Sequence, residues 1–395
     1  MYKKILLAVT LSSVLTFVGC EYSSEPTELI MNEVEISEQV LESGTPIEGQ
    51  YIIVLHKKDF ALGKSAFEVG SLAKGILQEN GIDVNAVGLK YTHALTGFTA
   101  KLSEAEASKL RLDSRVRIVE QDRIITLVKP DGKGKPPKDE PALQVTPWGV
   151  TRVGGWGDGT GKSAWVIDTG IDLKHEDLNV DVGRSANFVP RGKDSPSDGH
   201  GHGTHVAGTI AAIDNSIDVV GVAANASLVA VRVLDNAGAG AYSWIIAGVD
   251  YVAEFAVAGD VANLSLGGPP SNALDAAVRN AADAGVKFSL AAGNSGADAN
   301  NYSPSRVEYL NVWTVSAIGQ DGCMPSWSNY GNPPIENVAP GVGILSTKKG
   351  GGTTTFSGTS MAAPHVAGLL LLGAVSADGL ACNDPDGNPD PIAHR

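Results

Sequence analysis

The chain has 395 residues, a formal net charge of −14 at pH 7 and 43% hydrophobic residues, which suffices for two or three folded domains and excludes a wholly disordered protein. The excess of acidic residues argues against nucleic acid or an anionic membrane as the main partner, because both select basic surfaces. The three cysteines are too few for a disulfide-rich scaffold and cannot all pair with one another.

Residues 1–20 carry the pattern of an export signal. Lys3 and Lys4 precede an apolar run over residues 5–18 that is too short, and wrongly flanked, for a membrane span. Cys20 follows a glycine directly after this run, which resembles the lipid-attachment box of bacterial lipoproteins. We therefore predict export, with Cys20 as the lipidation site. An ordinary signal peptide that is cleaved nearby is the alternative.

Two segments follow the signal. Residues 21–49 are acidic, polar and weakly patterned, as expected of a tether. Residues 50–128 alternate between strand-like and helix-like patterns in the order β-α-β-β-α-β, which predicts a small α+β open sandwich. The strand-like runs cover 51–55, 95–102, 116–119 and 124–128, and the helix-like segments cover 64–79 and 103–110.

Residues 129–142 predict an exposed linker. They combine prolines, glycines and charges of both signs, and they show no apolar periodicity. Such segments are accessible to proteases, so a domain boundary and a processing site are expected here.

From residue 143 to residue 395, apolar strand-like runs alternate with helix-like segments. Continuous apolar strands separated by helices predict a doubly wound α/β fold, with a mainly parallel sheet covered by helices on both faces. Functional groups in such folds lie at the carboxyl ends of the strands. The strands are predicted at 164–167, 228–234, 261–266, 287–290 and 312–315, and the helices at 206–212, 243–256, 272–284 and 361–372.

Three short motifs fall at positions of this kind. Asp168 directly follows the first apolar strand. His202 opens a helix in the sequence His-Gly-Thr-His, and Ser360 opens an apolar helix in Gly-Thr-Ser-Met-Ala-Ala-Pro. Each motif alone is weak, because a lone aspartate or serine at such a place is usually a cap. Together they supply the acid, base and nucleophile of a catalytic triad.

These motifs closely resemble those of the subtilisin-type serine endopeptidases. The stretches 144–150 and 287–295 extend the likeness, which covers nearly all of residues 143–375. The order Asp, His, Ser separates this family from the α/β-hydrolases, whose order is Ser, Asp or Glu, His. The resemblance implies the doubly wound fold and peptide-bond hydrolysis.

The resemblance also implies a role for each member of the triad. Ser360 would be the nucleophile, His202 its general base, and Asp168 the group that orients His202 and stabilises its cation. His205 competes for the role of base, but the family pattern makes the first histidine catalytic and the second structural. His200 lies beside the pattern, and we expect it to be solvated.

Asn294 matches the oxyanion-hole asparagine of the family, which would act together with the backbone N–H of Ser360. A plain Asn-Ser-Gly turn is the alternative. An extended substrate would add as a β-strand beside the stretches 238–240 and 265–267. The substrate-binding residues that the resemblance implies are Gly238, Gly240, Tyr242, Ile245, Ser265, Leu266, Gly267, Ala291 and Gly293.

The implied pockets predict broad specificity. Tyr242, Ile245 and Leu266 would line an apolar pocket for the residue four positions upstream of the scissile bond. Ala291 to Gly293 would form one wall of the primary pocket, with uncharged Ser295 near its base. We therefore expect a preference for apolar or aromatic residues before the cut.

One structural calcium ion is implied by the resemblance. Residues of the loop 213–219, together with Gln144 and Asp177, align with the tight calcium site of the family, and all-oxygen coordination suits this ion. A plain Asx turn is the alternative for Asn215. The implied ligands are side-chain oxygens of Gln144, Asp177 and Asn215, and the carbonyl oxygens of Ile213, Ile217 and Val219.

The other two cysteines and the C-terminal tail close the chain. One disulfide between Cys323 and Cys382 is the simplest expectation for an exported protein, and two free thiols are the alternative. The acidic stretch 384–390 is rich in oxygen ligands but lacks the spacing of an EF-hand. We therefore expect a disordered acidic tail there rather than a second calcium site.

Residues 50–128 resemble the inhibitor-type propeptide that accompanies subtilisins, a likeness carried by 94–103 and 116–120. Such a module inhibits the enzyme, assists its folding and leaves its last strand in the active-site cleft. The chain would cut itself in or after the linker, near Ala142, and release a soluble enzyme from any lipid on Cys20.

The sequence thus predicts a secreted, calcium-stabilised serine endopeptidase of broad specificity, matured by autocatalytic removal of its propeptide. We expect it to act on proteins and peptides as a monomer, without nucleic acid and without membrane contact beyond a lipid on the precursor. A cell-surface binding protein with an inactive protease fold is one alternative, and the complete triad argues against it. A processing enzyme of narrow specificity is another, and no acidic pocket residue near Ser295 supports it.

Overall fold

The computed structural model describes residues 42–58, 60–127 and 143–395. The predicted signal with Cys20, most of the predicted tether and the predicted linker lie outside these residues. None of the described helices is both long and apolar enough to cross a membrane.

Helices and strands alternate along most of the described chain. The helices are α1 (Ala66–Glu79), α2 (Glu104–Arg111), α3 (Trp148–Arg152), α4 (His202–Ala211), α5 (Tyr242–Phe255), α6 (Asn272–Asp283) and α7 (Thr359–Leu372), with 3₁₀ turns at Val84–Ala86 and Ala299–Asn301. The strands are β1 (Pro46–Leu55), β2 (Val87–Tyr91), β3 (Gly97–Lys101), β4 (Val116–Thr126), β5 (Gly157–Asp158), β6 (Ser163–Asp168), β7 (Ala186–Asn187), β8 (Ala223–Ala224), β9 (Ser227–Arg232), β10 (Ala239–Ala241), β11 (Val261–Leu264), β12 (Lys287–Ala291), β13 (Val312–Ile318), β14 (Ile335–Pro340), β15 (Ile344–Thr347), β16 (Thr353–Phe356), β17 (Ser376–Leu380) and β18 (Pro391–His394).

The N-terminal module is an antiparallel sheet with two helices. Its strands lie in the order β4-β1-β3-β2, and β10 of the following part of the chain extends the sheet beside β4. Ser65 and Ser103 begin α1 and α2 with capping boxes, in which serine and glutamate side chains satisfy each other's free backbone N–H groups. The β-α-β-β-α-β order is the predicted one, but β2 lies in none of the predicted strand-like runs, so the individual elements match only in part.

Two boundaries of this module differ from the prediction. β1 begins at Pro46, inside the predicted tether, where it pairs with Arg123 of β4. The two predicted closing strands are one continuous strand, β4. The polar residues between them do not form a turn because Asp122 is buried and bonds to the backbone N–H of Ser243 at 3.1 Å. Partners distant in sequence therefore keep this polar stretch extended.

The larger part of the chain has the predicted doubly wound α/β architecture. Its sheet runs β17-β18-β14-β13-β12-β11-β6-β9-β7, and every pair except β17 with β18 is parallel. Helices α5 and α6 pack on one face of this sheet over one hydrophobic core, and α4 and α7 pack on the other face over a second core. α7 is apolar on all sides and nearly all of it is buried. A helix without a polar face needs cover all round, and the sheet and α4 give it that cover.

The C-terminus contradicts the expectation of a disordered tail. Residues 376–395 form a hairpin in which β18 joins β14 at the edge of the sheet. Ile392 and Ala393 are buried, and a Cys323–Cys382 disulfide, the pair predicted, ties the hairpin to the loop after β13. Periodicity alone missed this strand because only two of its residues are buried.

Candidate active site

The residues of the predicted triad meet at the carboxyl edge of the large sheet. Asp168 is the last residue of β6, and His202 is the first residue of α4. Ser360 is the second residue of α7. The end of one strand and the starts of two helices therefore carry three residues that are far apart in sequence.

Asp168 and His202 form a buried pair. The carboxylate oxygens of Asp168 lie 2.8 and 3.0 Å from Nδ1 of His202, and the exposed fractions of the two side chains are 0% and 2%. Burial alone would lower the pKa of His202, but the charge and the hydrogen bond of Asp168 outweigh it and raise that pKa. Nδ1 of His202 therefore carries the proton, which leaves Nε2 free to accept one.

Asp198, which sequence reasoning missed, holds the loop that presents His202. Its carboxylate accepts hydrogen bonds from the backbone N–H groups of His200 and Gly201 at 2.8 and 2.7 Å. It also accepts from the backbone N–H of Thr204 at 3.0 Å and from the Thr204 hydroxyl at 2.6 Å. Helix α4 begins after Gly201, which offers no side-chain cap. Asp198 thus serves as the missing cap and fixes the position of His202.

Pro364 shapes the backbone around Ser360. Proline has no N–H, so the carbonyl of Ser360, four residues earlier, lacks its helical hydrogen bond. The hydroxyl of Ser265 donates to that carbonyl at 2.8 Å, and the Ser360 hydroxyl donates to the carbonyl of Ser265 at 3.1 Å. The first turn of α7 is therefore tied to the end of β11.

The structure brings Ser360 to the site without a hydrogen bond to His202. Among the described residues, the Ser360 hydroxyl has Ser265 as its partner and none on the imidazole. A rotation about χ1 of serine moves only its hydroxyl, and catalytic hydrogen bonds often tighten only when substrate binds.

Asn294 faces the N-terminus of α7. Its side-chain oxygen accepts the N–H of Thr359 at 2.8 Å and the Thr359 hydroxyl at 2.9 Å. Because only the oxygen can accept these bonds, the amide NH₂ is turned away from Thr359. In the described part of the chain neither this NH₂ nor the N–H of Ser360 has an acceptor, so both can donate to an oxyanion.

Asn329 is a second residue that sequence reasoning missed. It is fully buried and binds the loop around Asn294 through the carbonyl of Ala292 at 2.8 Å, the N–H of Ser295 at 2.9 Å and the N–H of Ala297 at 3.2 Å. A buried asparagine with a full set of backbone partners holds a loop of irregular conformation. No local sequence signal marks it, since its partners lie more than thirty residues away.

The two neighbouring histidines differ from His202. His205 is buried, stacks on Phe356 with ring centroids 4.5 Å apart, and places Nε2 3.0 Å from the carbonyl oxygen of Ile344. Burial lowers the pKa of His205 to about 3, so its imidazole stays neutral. Asp168 pairs with His202 instead. His200 is half-buried with an unpartnered Nδ1, and the expectation that it is solvated was wrong.

The last strand of the N-terminal module occupies the predicted substrate channel. β4 pairs antiparallel with β10, with Ile124 opposite Ala241 and Thr126 opposite Ala239. The N–H of Leu127 continues the ladder to the carbonyl of Gly238 at 2.9 Å. A side chain at Gly240 would clash with the carbonyl of Val233, so this strand needs glycine there.

Ile125 fills the apolar pocket that was predicted for a substrate side chain. It is fully buried in one core cluster with Tyr242, Ile245 and Leu266. A methyl group on Gly268 would clash with the end of the Ile125 side chain. The pocket is therefore closely matched to a branched aliphatic residue.

An open cleft continues beyond this pocket. It has a volume of about 290 Å³. Its lining includes the predicted residues Ser265, Leu266, Gly267, Ala291 and Gly293, together with Ser295, Asn294, Ser360, Thr126 and Leu127.

Buried or half-buried carboxylates join the module to the larger part of the chain. Glu120 accepts the N–H of Asn272 at 2.9 Å at the start of α6, and Asp122 accepts that of Ser243 at the start of α5. Asp250 on α5 accepts backbone N–H groups of the module, at 2.7 Å from Ala94. Negative charge at helix N-termini is favourable, so Glu120 and Asp122 also stabilise α6 and α5.

Hydrogen bonds link the predicted calcium ligands to one another, and Ile217 is linked to the others through Asn215. The Asp177 carboxylate is buried and accepts the amide NH₂ of Asn215 at 2.7 Å and the N–H of Val219 at 3.2 Å. The amide of Gln144 lies 2.7 Å from the carbonyl of Ile213 and 3.4 Å from that of Val219. Ile217 donates its N–H to Asn215 at 2.7 Å.

The carboxylate and the backbone carbonyls of this cluster suit a hard cation. The amides of Gln144 and Asn215 present NH₂ groups to their partners rather than the predicted oxygens, so both would have to turn over to act as ligands. Burial raises the pKa of Asp177 to about 7, and the partners of its carboxylate in the described part of the chain are amide and backbone N–H groups rather than a cation. In residues 42–58, 60–127 and 143–395, this cluster included, no group of three or more Asp, Glu, His or Cys side chains could hold a metal ion as the structure stands.

Comparisons with known proteins agree with this geometry. Residues 159–376 match the model of the subtilase family, and residues 50–128 match that of the peptidase inhibitor I9. A solved structure of a cold-adapted subtilisin-like serine proteinase is 40% identical, with a TM-score of 0.56, and the match covers 65% of this chain and 98% of that one.

Curated relatives are similar over most of the chain. Alkaline serine exoprotease A of Vibrio alginolyticus is 38% identical over 393 residues, which is 94% of this chain and 70% of the relative. Subtilisin NAT of Bacillus subtilis subsp. natto is 39% identical over 308 residues, which is 76% of this chain and 74% of the relative.

Proposed function

This chain belongs to the subtilase family and is a subtilisin-type serine endopeptidase, and from that premise we propose that Asp168, His202 and Ser360 are its catalytic triad. The observation that carries the proposal is the buried hydrogen bond between Asp168 and Nδ1 of His202 beside the N-terminus of α7. This bond leaves Nε2 of His202 as the atom that takes the proton of Ser360.

The chemical steps follow from these positions. Ser360 Oγ attacks the scissile carbonyl as His202 accepts its proton, and Asp168 stabilises the imidazolium that forms. The NH₂ of Asn294 and the N–H of Ser360 stabilise the negative oxygen of the tetrahedral intermediate. His202 then gives its proton to the leaving amine, and water releases the acyl group by the same steps in reverse order.

The substrate binds as an added strand along β10. The pairing of β4 with β10 supports this, because a strand of the chain itself lies there. The buried Ile125 beside Tyr242 and Leu266 supports apolar preference in the pocket four residues before the cut. Uncharged Ser295 in the cleft supports broad specificity with apolar or aromatic residues at the cut itself.

The N-terminal module, residues 50–128, acts as inhibitor and folding aid of the peptidase domain, residues 143–395. The match of this module to a peptidase inhibitor model and its strand in the substrate channel support this division. If Ile125 fills the pocket four positions before the scissile bond, the first self-cleavage follows residue 128. The predicted cut near Ala142 then removes the remaining linker in a second step.

One calcium ion is held by side-chain oxygens of Gln144, Asp177 and Asn215 with the carbonyls of Ile213, Ile217 and Val219. When bound, the ion would neutralise the buried Asp177 carboxylate and join the loop 213–219 to the N-terminus of the peptidase domain. A melting temperature that does not change in excess chelator would exclude this calcium site.

The precursor is exported, carries a lipid on Cys20 and releases a monomeric enzyme after processing.

The test compares the wild-type chain with Ser360→Ala. We expect the wild type to react with a fluorophosphonate probe and to yield new N-termini after residues 128 and 142 by mass spectrometry. The Ser360→Ala chain should take no label and remain uncut. A wild-type chain that neither reacts with the probe nor is cut would contradict the triad.

A further inference from the structure

The loop between β17 and β18 gathers acidic side chains at alternate positions. Asp384, Asp386, Asn388 and Asp390 are separated by Pro385, Gly387 and Pro389. This 384–390 loop lies directly after the disulfide cysteine Cys382, and its end is held by the bond from the N–H of Ala381 to the carbonyl of Asp390 at 2.9 Å. The loop is thus fixed at both ends.

Asp390 has an unsatisfied oxygen that is buried. The residue is 0% exposed, and the amide of Asn332 donates to one carboxylate oxygen at 3.2 Å. The other oxygen, Oδ2, is buried and has no hydrogen-bond partner among residues 42–58, 60–127 and 143–395. A buried carboxylate oxygen without a donor is costly, and a cation bound to it would remove that cost.

The charges around Asp390 are of the same sign. Asp384 and Asp386 are the charged groups that act on its carboxylate, and the N–H of Asp390 lies 3.2 Å from Oδ2 of Asp384. In the part of the chain that the structure describes, no salt bridge involves any of these three carboxylates. Three like charges without a counter-charge repel one another, and a cation would relieve that repulsion.

We propose that the 384–390 loop binds a calcium ion, with the unpartnered oxygen of Asp390 and the carboxylate of Asp384 as its inner ligands. Asp386 and the amide oxygen of Asn388 supply the outer ligands. Oxygen ligands at alternate positions of a short loop, with a glycine at the bend, are the arrangement that hard cations favour. Gly387 has φ +77°, a conformation suited to that bend.

The loop has to close slightly to complete this site. The three carboxylates do not converge as a metal-holding group in the structure as it stands. Asp386 and Asn388 are exposed, so their side chains can turn inward without disturbing the core. Closure of the loop around the ion would hold the hairpin, with its disulfide, to the sheet edge at β14. The C-terminus is therefore the part of the fold that the ion would stabilise.

The experiment counts bound calcium ions in the full chain carrying Ser360→Ala, which cannot digest itself. Protein freed of calcium by chelation is titrated with Ca²⁺ in a calorimeter, and its melting temperature is measured with Ca²⁺ and with chelator. The variants are Asp384→Asn with Asp390→Asn in the loop, and Asp177→Asn at the other proposed site. Asp378→Asn, on the neighbouring β17, removes the same charge outside the loop.

We expect the loop variant to bind one ion fewer than the parent and the Asp378→Asn control. Asp177→Asn should keep the ion of the loop, so the two proposed sites fail separately. Unchanged stoichiometry in the loop variant overturns the proposal, as does a parent that binds no calcium at the loop. If the double substitution prevents folding, exposed Asp386→Asn replaces it, and its affinity for the loop ion should fall about tenfold; an unchanged affinity overturns the proposal.

Discussion

Replacing Ile125 by alanine should weaken inhibition by the N-terminal module without unfolding it. Ile125 is fully buried against the peptidase domain, whereas the core of the module itself is formed by other residues, among them Ile53, Leu77 and Phe98. Removing three buried carbons loses about 2.4 kcal/mol, at about 0.8 kcal/mol for each, before any cavity cost. The inhibition constant should therefore rise at least about 50-fold.

The assay adds module released by processing to mature enzyme and follows hydrolysis of a peptide substrate. Ile125→Val removes one carbon and should raise the inhibition constant about fourfold. Leu112→Ala, at a residue that is 88% exposed, should leave it unchanged. An inhibition constant for Ile125→Ala within twofold of the wild type would refute the placement of Ile125 in the substrate pocket.

A second substitution checks the same geometry from the enzyme side. An added methyl group at Gly268 would clash with Ile125 and lie 2.9 Å from the hydroxyl of Tyr242. Gly268→Ala should therefore weaken binding of the wild-type module more than binding of the Ile125→Ala module. Equal effects on both modules would mean that the two residues do not meet.

Three further outcomes are expected. In Asp168→Asn, kcat should fall on the order of 10⁴-fold. Asp168 raises the pKa of His202, and the base acts in its neutral form, so kcat/KM of the wild type should fall as the pH drops through a value above the ordinary histidine range. An unaltered pH midpoint of kcat/KM in the variant would argue against the pair. Asn294→Ala should lower kcat by about 10²–10³-fold with little change in KM, whereas a change confined to KM would assign Asn294 to substrate binding. Replacing both Cys323 and Cys382 by serine should lower the free energy of unfolding by up to about 4 kcal/mol, given the sequence separation of 59 that the disulfide spans. The measurement is denaturant unfolding of the Ser360→Ala chain, and equal stabilities would show that the hairpin holds without the disulfide.

Local motifs were sufficient to predict the family and to nominate residues for the site. An aspartate at the end of an apolar strand, a histidine and a serine at two helix starts, and an Asn-Ser-Gly turn are patterns of adjacent residues, so the sequence carries them whole. The same holds for the doubly wound fold, since apolar strands and helices alternate along the chain. Fold class and family are confirmed, whereas the roles of the individual site residues stay predictions.

Polar residues that bond to backbone groups in irregular loops escaped prediction. Asp198 and Asn329 hold the loops that carry His202 and Asn294, yet neither sits in a periodic pattern, and the partners of Asn329 lie more than thirty residues away. The continuity of β4 likewise depends on Asp122 meeting Ser243. A polar side chain looks the same in a sequence whether it faces water or a buried backbone group.

The sequence by itself determined the family and hence the class of reaction, because the residue types and their short-range spacing form the motifs of a subtilisin-type serine endopeptidase. Only the tertiary structure decided how the proposed site residues are held and which strand lies beside β10. The register of β4 on β10 puts Ile125 in the apolar pocket, and the hairpin at the C-terminus turns an acidic tail into an ordered loop. Both depend on contacts between segments far apart in the chain, and the free energy of such contacts is set by packing in three dimensions rather than by any local pattern.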